Sequence, residues 1–175
     1  PEPRDAELAS WVFWHMCPGI GPRSLRRLLT EFGTARLAAH AAARGAERPA
    51  FISRDAWRFA SSAANAVGAG QGEIELASRY GASVVALPSR EYPPLLRLIY
   101  DPPAVLYVMG KAALTDVPLI AVVGSRSATS YGTGAARYLS RQLVAAGAGV
   151  VSGMARGVDS AAHRGAIEAG GVTVG

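Results

Sequence analysis

The sequence predicts an α/β protein in which a small all-helical domain precedes a parallel sheet. Residues 1–68 carry apolar side chains at helical spacing, which indicates a helical domain. Residues 69–175 alternate short, continuously apolar segments with helical ones, the pattern of buried parallel strands joined by helices. The last apolar segment, at 172–175, only begins a strand. We therefore expect an incomplete sheet and a parent protein longer than this chain.

In the helical domain, the periodicity predicts helices over 5–15, 23–32, 34–44 and 53–67. The stretch CPGIGP at 17–22 separates the first helix from the second, and RGAERP at 44–49 predicts a loop. Ser53 is a suitable N-cap for the fourth helix. The glycine-rich stretch GAGQG at 68–72 is interpreted as the linker between the domains.

In the second domain, the pattern predicts a helix over 73–80 that ends at Gly81 and further helices over 131–146 and 159–169. Asp159 is the predicted N-cap of the last helix. Strands are predicted over 83–87, 102–110, 118–124, 149–153 and 172–175.

Composition favours an anionic partner. The 175 residues carry a net charge of +5 with a pI of about 9.9, and Lys111 is the only lysine, so the positive charge is almost all arginine. Arginine forks match phosphate oxygens and stack on bases. The single cysteine excludes an internal disulfide and makes a cytoplasmic protein the expectation. No apolar run approaches the roughly 18–20 residues that span a bilayer, so no membrane is expected.

The stretch AVVGSRSATSYGTG at 121–134 predicts a strand, a phosphate-binding loop and a helix start. Gly124 permits close backbone approach, and Arg126 supplies a fork for two phosphate oxygens. The following helix directs free N–H groups and its positive dipole end at the loop. Hydroxyl donors come from Ser125, Ser127, Thr129 and Ser130.

A second loop, SGMARGVDSAAH at 152–163, also follows a strand and opens a helix. Carboxyl ends of parallel strands share one edge of a sheet, so neighbouring strands would bring both loops into one wall. Asp159 and His163, four residues apart, form either an acid–base or metal pair or a structural pair, and we favour the structural role. The predicted wall combines Gly124, Ser125 and Arg126 with Ser152, Gly153, Arg156 and Gly157.

Common catalytic and cofactor motifs are absent from the sequence. There is no G-x-G-x-x-G, no G-K-[ST], no C-x-x-C and no H-x-x-x-H, so we expect no NAD, ATP or metal cofactor. Ser152 does not lie in a nucleophile elbow, because Val150 takes the position of the first glycine.

The segments at 92–110, 121–132 and 150–171 resemble the DNA-processing protein A (Smf) family in sequence and order. The resemblance implies a Rossmann-like core without cofactor binding, and a protein that is not an enzyme. It also implies binding of single-stranded DNA during natural transformation (competence), help in loading the RecA recombinase, and a homodimer of the full-length protein. The family's motifs fall on Gly124, Ser125 and Arg126 and on Ser152, Gly153, Ala155 and Gly157, which would contact the strand.

The stretch CPGIGPRSLRRLL at 17–29 resembles a helix-hairpin-helix, and such a SAM-like domain fits this end of the family. Its turn would present N–H groups to a phosphate. We interpret Gly19, Gly21 and Arg23 as a secondary DNA contact; the alternative is a tight turn that only packs two helices.

Two other functions remain open from the sequence. One is a Rossmann-like nucleotide hydrolase of the phosphoribohydrolase type, with Asp159 or Glu168 as its carboxylate. The other is a scaffold for a protein partner, in which the pocket is vestigial.

Overall fold

The computed structural model describes residues 3–62, 66–110 and 117–175. The chain divides into two compact units, Pro1–Ala113 and Leu114–Gly175, called unit 1 and unit 2 below. This division lies further along the chain than the predicted boundary at 68/69. The limits 1–68 and 69–175 therefore stay a prediction about independently folding domains.

Unit 1 begins with helices, as predicted. Ser53 caps the fourth helix, as predicted, because its Oγ accepts a hydrogen bond from the amide of Ala56 at 3.1 Å. Part of the predicted helix over 53–67, residues 63–65, lies outside the described residues. The helices are α1 (Pro3–Met16), α2 (Pro22–Phe32), α3 (Ala35–Ala43), α4 (Arg54–Ser62) and α5 (Ala66–Arg79).

The predicted linker at 68–72 is wrong, because these residues lie inside α5. The glycines permit close packing instead. A Cβ on Gly70 would lie 1.8 Å from the carbonyl oxygen of Ala9 in α1, so only glycine allows α5 to cross α1 at this distance. Glycine in a helix costs on the order of 1 kcal/mol, which the packing of two helices offsets.

The core of unit 1 is aromatic. Trp14, Phe13, Leu25 and Leu28 are fully buried, and burial of each such side chain contributes about 1.5–3 kcal/mol. The indole N–H of Trp14 donates to Ala35 O at 3.0 Å, so its polar atom is satisfied inside the core. These contacts hold α1, α2 and α3 together.

Unit 1 ends with a two-stranded antiparallel sheet. Strand β1 (Ala82–Ala86) pairs with β2 (Val105–Met109), in register from Ala82 opposite Met109 to Ala86 opposite Val105. Both strands were predicted, but their place in the parallel sheet is wrong. Two parallel strands are usually joined by an α-helix that crosses the sheet, and the segment between β1 and β2 contains only the single turn α6 (Pro94–Arg97).

Unit 2 confirms the parallel, Rossmann-like α/β prediction. Its strands are ordered β3-β4-β5, and both pairs are parallel. Val150, Ala162 and Ala166 form its buried core with Val122 and Leu143 packed against them. The elements are β3 (Leu119–Ala121), α7 (Ser130–Ala145), β4 (Gly149–Val151), α8 (Val158–Glu168) and β5 (Thr173–Val174).

The order of strands positions the two predicted loops. Because β3 and β4 are parallel neighbours, the segments 122–129 and 152–157 leave adjacent strands at the same edge of the sheet. Among the described residues, no helix has the length and apolar character needed to cross a membrane.

Candidate functional site

The loop after β3, residues 122–129, directs unpaired donors to solvent. Arg126 is exposed and forms no ion pair with the described residues. The backbone N–H groups of Gly124, Ser125 and Arg126 make no hydrogen bond within the described part of the chain. Ser125 Oγ accepts from the amide of Ser127 at 3.1 Å, which folds the loop back on itself. The loop therefore offers a cation and several N–H groups to an anion.

The start of α7 adds two further donors. Thr129 is the N-cap, and its Oγ1 accepts from the amide of Gly132 at 3.1 Å. The Thr129 hydroxyl, which was predicted to bind phosphate, thus caps the helix. The amides of Ser130 and Tyr131 have no partner among the described residues, and they stand at the positive end of the helix dipole.

The two loops touch each other through glycines. Gly157 has φ +85°, and a Cβ there would lie 2.2 Å from Ser125 O. The amide of Val158 donates to the same carbonyl at 3.2 Å. A Cβ on Gly124 would lie 2.8 Å from Val158 Cγ2. The structure therefore brings Gly124, Ser125 and Arg126 together with Gly157, as the sequence predicted for neighbouring strands.

The other residues of the second loop take different roles. The buried Ser152 hydroxyl donates to Val122 O at 2.7 Å, so it joins the ends of β3 and β4 rather than facing solvent. Ala155 O accepts from the Ser160 hydroxyl at 2.6 Å, which fixes the loop to α8. Gly153 and Arg156 are exposed, and Arg156 makes no ion pair with the described residues.

The predicted cap of α8 is wrong. The N-cap is Gly157, and Asp159 lies inside the first turn. Glycine at 157 adopts φ +85°, ψ −124°, which lets the chain enter the helix earlier than the sequence suggested. Two of the first α8 amides are used within the protein, since Val158 donates to Ser125 O and Ser160 to Ala155 O. The start of α7 consequently offers more free donors than the start of α8.

Asp159 and His163 are built into the fold. Asp159 is 7% exposed, and its Oδ2 accepts from the amide of Ala155 at 3.4 Å, while its buried Oδ1 has no partner among the described residues. His163 Nδ1 lies 2.7 Å from Thr173 Oγ1. Within the described ranges, no three His, Cys, Asp or Glu side chains are grouped as metal ligands. Elsewhere, burial raises the pKa of the Cys17 thiol to about 11, so this thiol is a poor nucleophile.

The helix-hairpin turn of unit 1 has the predicted form, and its arginines have internal partners. Gly19 has φ +79° and Gly21 is the N-cap of α2. The Arg23 guanidinium lies 4.5 Å from the centroid of the Tyr100 ring. Arg26 pairs with Asp101 at 3.3 Å, and Arg27 lies 3.9 Å from the Phe51 ring centroid. Sequence reasoning missed these partners, of which Asp101 lies 75 positions from Arg26 along the chain.

Sequence reasoning also missed a groove between α7 and α8. Its volume is about 460 Å³. The spacing of Gly157, Ala161 and Gly165, four residues apart, was the available signal, because small residues at this spacing let two helices approach closely. The lining residues are Ser130, Thr133, Gly134, Arg137, Arg156, Gly157, Ser160, Ala161 and Arg164.

Comparisons with known proteins agree on one family. Residues 83–175 match the family model described as DNA recombination-mediator protein A. The chain is 38% identical over 96 residues to DNA processing protein DprA of Bacillus subtilis, which covers 54% of this chain and 32% of that protein. It is 28% identical over 191 residues to Protein Smf of Synechocystis, which covers 97% of this chain and 44% of that protein.

A solved structure shares the fold. The X-ray structure of DNA processing protein A (DprA) from Streptococcus pneumoniae matches with a TM-score of 0.62 and 22% identity, over 97% of this chain and 54% of that one. At this identity the likeness supports the fold alone. The chain spans less than half the length of these two curated relatives.

Proposed function

The chain belongs to the DNA recombination-mediator protein A family, and from this premise we propose that it binds single-stranded DNA through the loops that follow β3 and β4. Members of this family are DNA processing and recombination proteins. One observation carries the proposal: the two loops touch at Gly157 and Ser125 and present donors from both sides. These donors are the Arg126 and Arg156 guanidinium groups and the free amides of the first loop and α7.

The proposed contacts are made to the phosphate backbone. Amides at a helix start and arginine forks bind phosphate oxygens without reading base identity. Tyr131, at the second position of α7, is 86% exposed and supplies a ring on which a base can stack. Binding with little sequence preference follows from this arrangement. Ser152 contributes indirectly, by holding the ends of β3 and β4 together.

The proposal assigns no catalysis and no cofactor to the site. The carboxylate nearest the loops, Asp159, is buried and bound to the amide of Ala155, so it serves the conformation of the second loop. Glu168 is bound to Arg137 at the far end of α8, at 2.7 Å between Glu168 Oε2 and Arg137 Nε.

For the whole protein, we propose the role that the family resemblance implies. The protein would hold incoming single-stranded DNA during natural transformation and help to load RecA onto it, as a homodimer in the cytoplasm. The segment of unit 1 around Gly19, Gly21 and Arg23 is proposed as a weaker secondary contact. Its support is the Arg23–Tyr100 pair, in which Tyr100 is 82% exposed and would stack on a base with the ring face that Arg23 does not cover.

The test is the affinity of the 175-residue chain for a labelled oligothymidine, measured by fluorescence anisotropy beside a duplex of equal length. We expect tighter binding of the single strand. Arg126→Ala should weaken it by roughly 1.5–3 kcal/mol, the range for a hydrogen bond to a charged group. The matched control is Arg141→Ala, which removes the same charge from an exposed position of α7 outside both loops.

Equal losses in the two variants would mean that general charge, and not the loop, binds DNA. Turnover of a nucleoside monophosphate that Asp159→Asn abolishes would replace the proposal with a hydrolase. Binding of RecA by a chain with no affinity for DNA would favour a scaffold.

A further inference from the structure

The groove between α7 and α8 continues from the loop site. Arg156 and Gly157 belong both to the second loop and to the lining of the groove, and Ser130 follows directly on the first loop. A chain-like ligand that lies on the loops can therefore pass into the groove without a break in its contacts.

Small residues bring the two helices close enough to form this groove. A Cβ on Gly165 would lie 2.3 Å from Arg137 O, so α8 packs directly against the backbone of α7. The hydroxyls of Thr133 and Ser160 and the small Gly134 and Ala161 line the groove. This lining provides hydrogen-bonding groups and no large apolar side chain, which suits a polar ligand.

The charge of the groove is positive. Of its three arginines, Arg137 is paired with Glu168, through 2.7 Å and 2.5 Å contacts. Arg156 and Arg164 are exposed and form no ion pair with the described residues. The pKa of Glu168 lies below its ordinary value, chiefly because of the hydrogen bond from Arg137, with Arg141 and Arg164 adding to the effect. Among the residues that line the groove, Arg156 and Arg164 therefore keep a positive charge with no carboxylate partner in the described part of the chain.

The arginines are spread along the groove. Arg156 precedes α8 and Arg164 lies in its second turn, a separation on the order of 10 Å along the helix axis. A cavity of about 460 Å³ with cations at separate positions fits a series of phosphates better than one small anion.

We propose that the groove between α7 and α8 is a second subsite for the phosphate backbone of the strand that leaves the loops, with Arg156 and Arg164 as its contacts. This inference rests on the proposed function. It adds that the chain holds a longer strand than the loops alone can hold, and that the strand runs along the two helices.

The test compares oligothymidines of about 4 and about 16 nucleotides, the range of site sizes for single-strand binding domains. Arg164→Ala should weaken binding of the long strand about fivefold, the effect of one exposed ion pair, and leave the short strand unchanged. Arg164→Lys keeps the charge and should recover most of the loss. Arg141→Ala, on α7 outside the groove, should have the same effect on binding of the short strand as on binding of the long strand.

The outcomes separate the two proposals. If Arg126→Ala weakens both lengths while Arg164→Ala weakens neither, the loops bind DNA and the groove does not. If Arg164→Ala and Arg141→Ala weaken the long strand equally, the effect is general charge and the subsite is wrong. If the parent chain binds neither length, the proposed function fails and the groove proposal fails with it.

Discussion

At the scale of single residues, the contact between the two loops depends on the absence of side chains. Gly157 adopts a conformation, φ +85° and ψ −124°, that other residues rarely take. The same position is closed to a Cβ by Ser125 O at 2.2 Å. The backbone conformation and the lack of room for a Cβ are therefore two separate reasons why position 157 requires glycine.

Replacing Gly157 tests this requirement. We expect Gly157→Ala to destabilise unit 2 more than Gly147→Ala does. Gly147 has φ +84° but no atom within 4 Å of its added Cβ, so that variant pays a cost of about 1–2 kcal/mol for positive φ without a steric clash. Amide hydrogen exchange in α8 measures the difference in stability between the two variants. Equal protection in the two variants would show that the loops can separate at no cost.

Sequence reasoning identified the right glycines but missed a packing contact that one of them makes. Gly124 was interpreted as a position where the backbone approaches a phosphate. The structure places the side chain of Val158 against it, 2.8 Å from an added Cβ. A local pattern shows that close approach is needed, but the atom that approaches comes from a segment more than 30 residues away. Pairing of β3 with β4 decides this contact, and spacing along the chain does not encode it.

At the scale of secondary-structure elements, α7 begins with a cap that also shapes the site. Thr129 Oγ1 binds the amide of Gly132 and leaves those of Ser130 and Tyr131 free. The cap therefore determines which amides face the loop.

Loss of this cap should cost stability. We expect Thr129→Ala to lower the free energy of unfolding of unit 2 by about 1 kcal/mol. Thr129→Ser retains the hydroxyl and should stay near the parent value. Urea denaturation followed by circular dichroism gives both values. A Thr129→Ala protein as stable as the parent would mean that the hydroxyl contributes nothing to the helix.

Elements were easier to predict than their partners. The helices α1, α2 and α3 and the strands β3, β4 and β5 follow from apolar periodicity, which local sequence carries. The antiparallel pairing of β1 with β2 goes with a connection whose helix has only four residues, Pro94–Arg97, and local sequence does not reveal how the connection folds. The glycines of 68–72 looked like a linker because composition alone does not reveal that α1 lies against them.

At the scale of the whole molecule, charge sets how binding responds to ionic strength. The net charge of +5 attracts any nucleic acid, and each phosphate that the protein neutralises releases counterions. For single strands, the logarithm of the affinity falls against the logarithm of salt concentration with a slope of about −0.7 per neutralised phosphate.

The slope distinguishes a phosphate contact from other effects of a substitution. Arg126→Ala should make the slope shallower by about 0.7 for oligothymidine, because one phosphate is no longer neutralised. Anisotropy titrations at several salt concentrations measure it. An unchanged slope beside a lower affinity would assign Arg126 to loop structure instead of phosphate binding.

The aromatic core of unit 1 has a consequence for spectroscopy. All three tryptophans of the chain, Trp11, Trp14 and Trp57, are buried in that core. Indole emission therefore reports the packing of unit 1, and the described residues of unit 2 contain no such fluorophore. Tyr131→Trp would place an indole at the exposed start of α7, where quenching by a stacked base could be followed directly. Tryptophan fluorescence of the parent chain would therefore report on the helical part and not on the loops.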